Sequence, residues 1–269
     1  MRELSKTLSV LTVLGMLSVF ALSSAAVTPG GGGSEHDPNM LQPVGVIEIE
    51  QNSAPGIFVS HGSGVFITPT KFLTAEHVIT SLVDNRLELS GRVRMEDGTL
   101  RQVTNVAVSR KYDLAIVTVD TPYEGYIPPV SCKEMPRGAE LITIGNPLSM
   151  EFVEVRVRVT GGKFSPGAMK AMQQQQSAEP SADKPERKAP DNIQPPPEKP
   201  KEPKPVNFNG TEFFQGVALP GQSGSPVFTP TGEVVGILTI TVTDQSSFTG
   251  LGLYVKTSAA CGFLTGLTQ

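Results

Sequence analysis

Three short segments hold the residue types that acyl transfer at a carbonyl requires: a hydroxyl, an imidazole to take its proton, and a carboxylate to orient that imidazole. The hydroxyl stands in Pro220-Gly221-Gln222-Ser223-Gly224-Ser225-Pro226-Val227-Phe228. Gly221 permits a tight turn there, so the N–H groups of Gly221 and Ser223 can converge on one oxygen and hold a developing oxyanion. Gly224 is expected to leave room for a substrate beside the Ser223 hydroxyl. The segment is not a Gly-x-Ser-x-Gly elbow, because Ser225 stands where that motif needs glycine and a strand, not a helix, follows.

The imidazole belongs to His77, at the exit of Phe72-Leu73-Thr74-Ala75-Glu76-His77, which follows the glycine-flanked run Gly62-Ser63-Gly64-Val65-Phe66-Ile67 and a turn at Thr68-Pro69. The carboxylate belongs to Asp113, at the mouth of the apolar run Leu114-Ala115-Ile116-Val117. A lone histidine is most often a surface or satisfied core residue, and a lone aspartate most often caps a turn. At a strand entrance, however, a carboxylate can accept a hydrogen bond from an imidazole N–H, fixing its tautomer and stabilising the imidazolium. His36 and His61 read as structural or incidental.

Such groups need a rigid frame. From residue 44 the chain falls into short runs rich in β-branched side chains, separated by Gly, Pro, Asn or Asp: 44–50, 57–60, 64–68, 92–95, 103–109 and 114–119. A second group follows the linker Pro128-Pro129-Val130-Ser131-Cys132, at 140–144, 152–160, 216–219, 226–228, 234–242 and 252–256. Within the first group helical periodicity is confined to one turn around His77 to Leu82. Two groups of short strands predict an all-β fold of two sandwiches or barrels. The expected division is 44–130 for the first, and 131–164 with 206–269 for the second.

The chain has 269 residues, of which 38% are hydrophobic, enough for a substantial core. Twenty-two basic residues against 26 acidic ones give a net charge of −4, which argues against nucleic-acid binding. Three His and two Cys show no zinc-ligand spacing, which argues against metal chemistry. Residues 1–26 read as an export signal: Arg2 and Lys6, an apolar stretch from Leu8 to Leu22, then Ser24-Ala25-Ala26. That stretch is shorter than the roughly 20 residues of a bilayer span, so no stable span is expected once the signal is cleaved, an uncleaved anchor being the alternative. The mature chain is therefore expected outside the cytoplasm. Residues 27–43 read as a Gly-rich linker, and 165–205, dense in Pro, Lys, Glu and Gln, as a disordered insert. Such an insert is either a passive spacer or a partner-binding segment.

Together the three motifs resemble the chymotrypsin-like superfamily, and within it the bacterial trypsin-like and high-temperature-requirement-A (HtrA) peptidases. Thr74-Ala75-Glu76-His77, Asp113-Leu114-Ala115 and Gly221-Gln222-Ser223-Gly224-Ser225-Pro226 carry the likeness, with Gly145-Asn146-Pro147 and Val234-Val235-Gly236-Ile237 as further matches. The resemblance implies two six-stranded Greek-key β-barrels with the site in the cleft between them. It implies a serine endopeptidase acting on protein or peptide substrates, without a cofactor. Ser223 would form the acyl-enzyme, His77 would act as general base and acid, Asp113 would orient His77, and the Gly221 and Ser223 amides would form the oxyanion hole. A catalytically silent member that binds peptides or partner proteins is the main alternative, and an exported Pro-rich adhesion module is another.

The family pattern also places the specificity pocket, with Val217 at its base and Thr239, Ile240, Thr241 and Gly252 along its walls. No acidic residue stands among these, so small or medium apolar side chains are the expected occupants. Gln222 replaces the aspartate that pairs with a new N-terminus in digestive members, which argues against activation by that ion pair. Gln269 leaves no room for a PDZ domain, so the expectation is a protease domain without one. Related proteases staple regions near Cys132 and Cys261; here the pair reads either as a bridge or as two buried thiols.

Overall fold

The computed structural model describes residues 37–162, 209–216, 219, 221–244 and 247–268. The expected export signal, residues 27–36 of the linker, the 165–205 insert and Val217 lie outside the described residues.

Among the described residues, two closed six-stranded antiparallel barrels carry the fold. The first uses β1 (Val44–Gln51), β2 (Ala54–Thr68), β3 (Lys71–Ala75), β4 (Leu89–Met95), β5 (Leu100–Ser109) and β6 (Leu114–Val119), in the order β1-β2-β3-β6-β5-β4. The helix α1 (Glu76–Asp84) joins β3 to β4. The second uses β7 (Glu140–Gly145), β8 (Val153–Val159), β9 (Thr211–Gln215), β10 (Pro226–Phe228), β11 (Val234–Asp244) and β12 (Ser247–Lys256), in the order β10-β11-β12-β9-β8-β7. A closing helix, α2 (Cys261–Thr268), follows.

Side-chain direction along the second-barrel strands decides where the two barrels meet. Leu141, Val235 and Leu238 pack inside that barrel with Phe214 and Tyr254. Ile142, Ile144, Val234 and Ile237 instead join the apolar core of the first barrel. Successive residues of β7 face opposite sides, and in β11 a register shift between Val234 and Gly236 sets Val234 and Ile237 on one side and Val235 and Leu238 on the other, so each strand serves its own interior and the interface. Both faces of β7 and of the 234–238 part of β11 therefore carry buried apolar side chains, and the barrels share a buried seam.

Several boundaries differ from those expected. The runs 57–60 and 64–68 are parts of one 15-residue strand, β2. The strand expected at 216–219 is found at Thr211–Gln215, where it pairs with β12 and β8. Its anchor is Phe214, fully buried beneath Gly252; an added Cβ on Gly252 would lie 2.3 Å from the ring. The C-terminal helix was not expected because Gly262 and Gly266 interrupt its pattern, yet Leu264 seals it into the core. Cys132 and Cys261 form a disulfide with Cα atoms 5.7 Å apart, which fastens α2 to the inter-barrel linker. Among the described residues no helix is long and apolar enough to cross a membrane.

Candidate active site

His77 and Asp113 meet because β3 and β6 are paired strands. Ala75 sits opposite Leu114, so the chain leaving β3 emerges beside the chain entering β6. Their backbones are cross-linked there: Glu76 N–H donates to the Asp113 carbonyl at 3.1 Å. The Asp113 carboxylate accepts from the His77 amide at 3.0 Å through Oδ1 and meets the His77 ring Nδ1 at 2.8 Å through Oδ2. Two-point attachment fixes both the position and the rotation of the imidazole. Asp113 holds a left-handed backbone, φ 51°. That conformation costs an L-residue about 1–2 kcal/mol, and such costs collect at functional sites.

A third donor reaches the same carboxylate from the other barrel. Thr239, on β11 and 3% exposed, donates its hydroxyl to Asp113 Oδ2. Thr239 is expected in a pocket wall; its hydroxyl is committed to Asp113 instead. Carboxylate, imidazole and supporting hydroxyl thus span the seam.

The electrostatics of His77 follow from these neighbours. Burial of the ring is the largest single influence and opposes its charge. The hydrogen bond and negative charge of Asp113, with Glu76 adding to them, outweigh burial, so the imidazole pKa stands above its ordinary value. Part of the side chain, 43%, stays open to solvent.

Ser223 sits on the loop that enters β10. Gly221 and Gly224 take left-handed backbones, φ 92° and 86°, which turn the chain sharply on either side of it. Gln222 is fully buried, and its Oε1 accepts from the Leu219 amide at 2.8 Å, bracing the loop from within. Among the described residues the N–H groups of Gly221 and Ser223 donate to nothing. The loop lies against β2: a Cβ on Gly62 would meet both the Val78 side chain, at 2.7 Å, and the Ser223 carbonyl, at 2.9 Å. Ser223 and the His77-Val78 turn of α1 therefore crowd the same point of β2. Packing alone requires glycine at 224: a Cβ there would lie 2.1 Å from the Ser63 carbonyl and 2.3 Å from Thr74 Oγ1.

Of the expected pocket residues, β11 carries Ile240 and Thr241 and β12 carries Gly252. Ile240 and Thr241 lie on β11 opposite Leu253 and Gly252. Gly252 packs on Phe214, and Val217 lies outside the described residues. Among the described residues no group of three or more His, Cys, Asp or Glu is placed to hold a metal. Sequence reasoning gave no role to Ser63, Thr74 or Asn146, although each lies inside a quoted motif, and it missed the Thr239 contact entirely.

A comparison with curated proteins finds no match. Solved structures agree in fold. A structure of Deg5 superposes with a TM-score of 0.56 at 17% identity, covering 83% of this chain and 88% of that one. An inactive serine-to-alanine variant of Rv3671c from M. tuberculosis H37Rv gives 0.55 at 17% identity, covering 87% and 94%. A serine endoprotease from Yersinia pestis gives 0.55 at 17%, covering 85% and 64%. The sequence model of the trypsin-like peptidase domain matches residues 62–237, which include His77, Asp113 and Ser223. The chain belongs to the trypsin-like peptidase domain family.

Proposed function

We propose that this chain is a serine endopeptidase that cleaves peptide bonds through an acyl-enzyme on Ser223. The observation that carries the reading is the double attachment of His77 to Asp113, beside a nucleophile loop whose Gly221 and Ser223 amides have no acceptor among the described residues. In this reading His77 takes the Ser223 proton as the hydroxyl attacks the carbonyl, and returns it to the leaving amine. Asp113 holds the Nδ1–H tautomer, which leaves Nε2 free as the base, and stabilises the imidazolium that forms. The two amides receive the oxyanion, where a lost donor costs about 10²–10³ in rate.

The same reading assigns Val217, Thr241 and Gly252 to the side-chain pocket and predicts small or medium apolar residues before the scissile bond. It also places the mature chain in an exported, oxidising compartment. The disulfide between Cys132 and Cys261 supports that location, as does the signal-like composition of residues 1–26. Cleavage of a peptide library by the purified protein is the test. Turnover should fall by several orders of magnitude in Ser223→Ala and in His77→Ala. Turnover that survives both substitutions would refute the assignment.

A further inference from the structure

The nucleophile loop is held by a residue of the opposite barrel that takes no part in bond making. Ser63, on β2, is fully buried. Its amide donates to the Ser223 carbonyl at 2.8 Å, and its hydroxyl donates to the Gly221 carbonyl at 3.2 Å. The same hydroxyl accepts from the Asn146 backbone N–H at 3.1 Å and from Asn146 Nδ2 at 3.0 Å. The Ser63 carbonyl in turn accepts from Thr74 Oγ1 at 2.6 Å.

The direction of these bonds is forced. A serine hydroxyl has one proton to give and two lone pairs to offer. Both Asn146 groups are N–H donors, so they fill the lone pairs and leave the proton for Gly221. Asn146 cannot turn its amide over, because its Oδ1 accepts from the Phe152 amide at 2.9 Å. The surrounding loop is pinned to β4 by Arg94 and Glu151, 2.7 Å apart. Ser63 is thus a fully committed hydroxyl with a fixed polarity.

The two carbonyls it holds lie on the peptide planes next to those that carry the Gly221 and Ser223 N–H groups. Peptide units are rigid, so the remaining freedom lies in φ and ψ at the Cα atoms between them. Gly221 is the least restrained residue type at the place where N–H direction matters most. We propose that Ser63 is a positioning residue that sets the direction of the oxyanion-hole amides, through its hydroxyl on Gly221 and its amide on Ser223. The kinetic consequence rests on the peptidase reading; the restraint on the loop does not.

Ser63→Ala removes the hydroxyl and leaves the amide bond to Ser223 in place. Hydrogen exchange over the segment containing Gly221 and Ser223 should become faster, a readout that needs no catalysis and so separates this inference from the peptidase reading. With rates normalised to titrated active sites, kcat should fall about 10- to 100-fold, less than for a lost oxyanion donor, while KM stays within about twofold. A peptide boronate, whose tetrahedral adduct places an oxygen in the hole, should lose affinity in proportion to kcat; an uncleavable peptide should not. Ser63→Cys keeps a weak donor at the same point and should recover part of the rate; if Ser63→Ala fails to fold, it carries the same comparison. Unchanged exchange with unchanged kcat would overturn the proposal, as would faster exchange with kcat intact, or a raised KM at constant kcat.

Discussion

Replacing Gly224 by alanine should cost this protein both stability and chemistry, for separable reasons. The added Cβ would stand 2.1 Å from the Ser63 carbonyl and 2.3 Å from Thr74 Oγ1, against 3.4–4 Å for ordinary contact. The backbone there is also left-handed, at φ 86°. The dihedral costs an L-residue about 1–2 kcal/mol, and overpacking a tight site adds about 1–3 kcal/mol. The expected loss is therefore about 2–5 kcal/mol. Gly98 isolates the first part: its φ is 81°, and nothing lies within 4 Å of its Cβ position, so Gly98→Ala should cost only the dihedral share. Relief of the clash at Gly224 requires the nucleophile loop to move off β2 by about 1 Å or more, and a displacement of that size can cost about a hundredfold in rate. Denaturant unfolding of both variants, with turnover per titrated site, measures the two components. If Gly224→Ala matches Gly98→Ala in stability and the parent in turnover, β2 and the nucleophile loop do not pack as described.

Other perturbations test the remaining parts of the site. Because Asp113 and Glu76 outweigh the burial of His77, its acid limb in kcat/KM should have a midpoint above about 6.5, and Glu76→Gln should lower it. A midpoint at or below the ordinary histidine value would contradict the geometry. The linked stability runs the same way: the imidazolium–Asp113 contribution is full below about 6.5 and is lost as pH rises through the raised folded value, which unfolding measured across that window will show. Thr239→Val should lower kcat/KM about tenfold, since a hydrogen bond to a charged group is worth about 1.5–3 kcal/mol and part of it is lost equally before and during reaction; an unchanged pH–rate profile would remove Thr239 from the machinery. Cys132→Ser with Cys261→Ser should lower unfolding stability by about 2–5 kcal/mol, and equal stability with and without reductant in the parent would show the bridge to be idle.

What the sequence shows of this protein depends on how local each signal is. His77, Asp113 and Ser223 each sit in a run of adjacent residues whose types restrict one another, so each could be read from its own neighbourhood. The strands were legible for the same reason, through β-branched runs between turn residues. Thr239 was not, because its tie to Asp113 spans 126 positions and two barrels, and a threonine in an apolar strand looks like any other. Ser63 stood in plain view between two glycines, but its partners are 83 and 158 positions away. The strand Thr211–Gln215 was hidden by the Pro- and Lys-rich run before it, and only the packing of Phe214 against Gly252 and Tyr254 reveals why it belongs in the sheet. Gly224 could be singled out from its place beside Ser223, but the close approach of β2 to it is a tertiary fact.

If His77 and Asp113 activate Ser223, its hydroxyl should attack an electrophilic phosphorus centre. The most direct measurement is reaction of the folded protein with a fluorophosphonate, followed by mass-spectrometric mapping of the adduct. A single adduct is expected on Ser223 and none on the neighbouring Ser225, whose hydroxyl is buried. The adduct should be lost in His77→Ala while the fold is kept. A folded protein that takes no label, or one labelled on another serine, would contradict that activation.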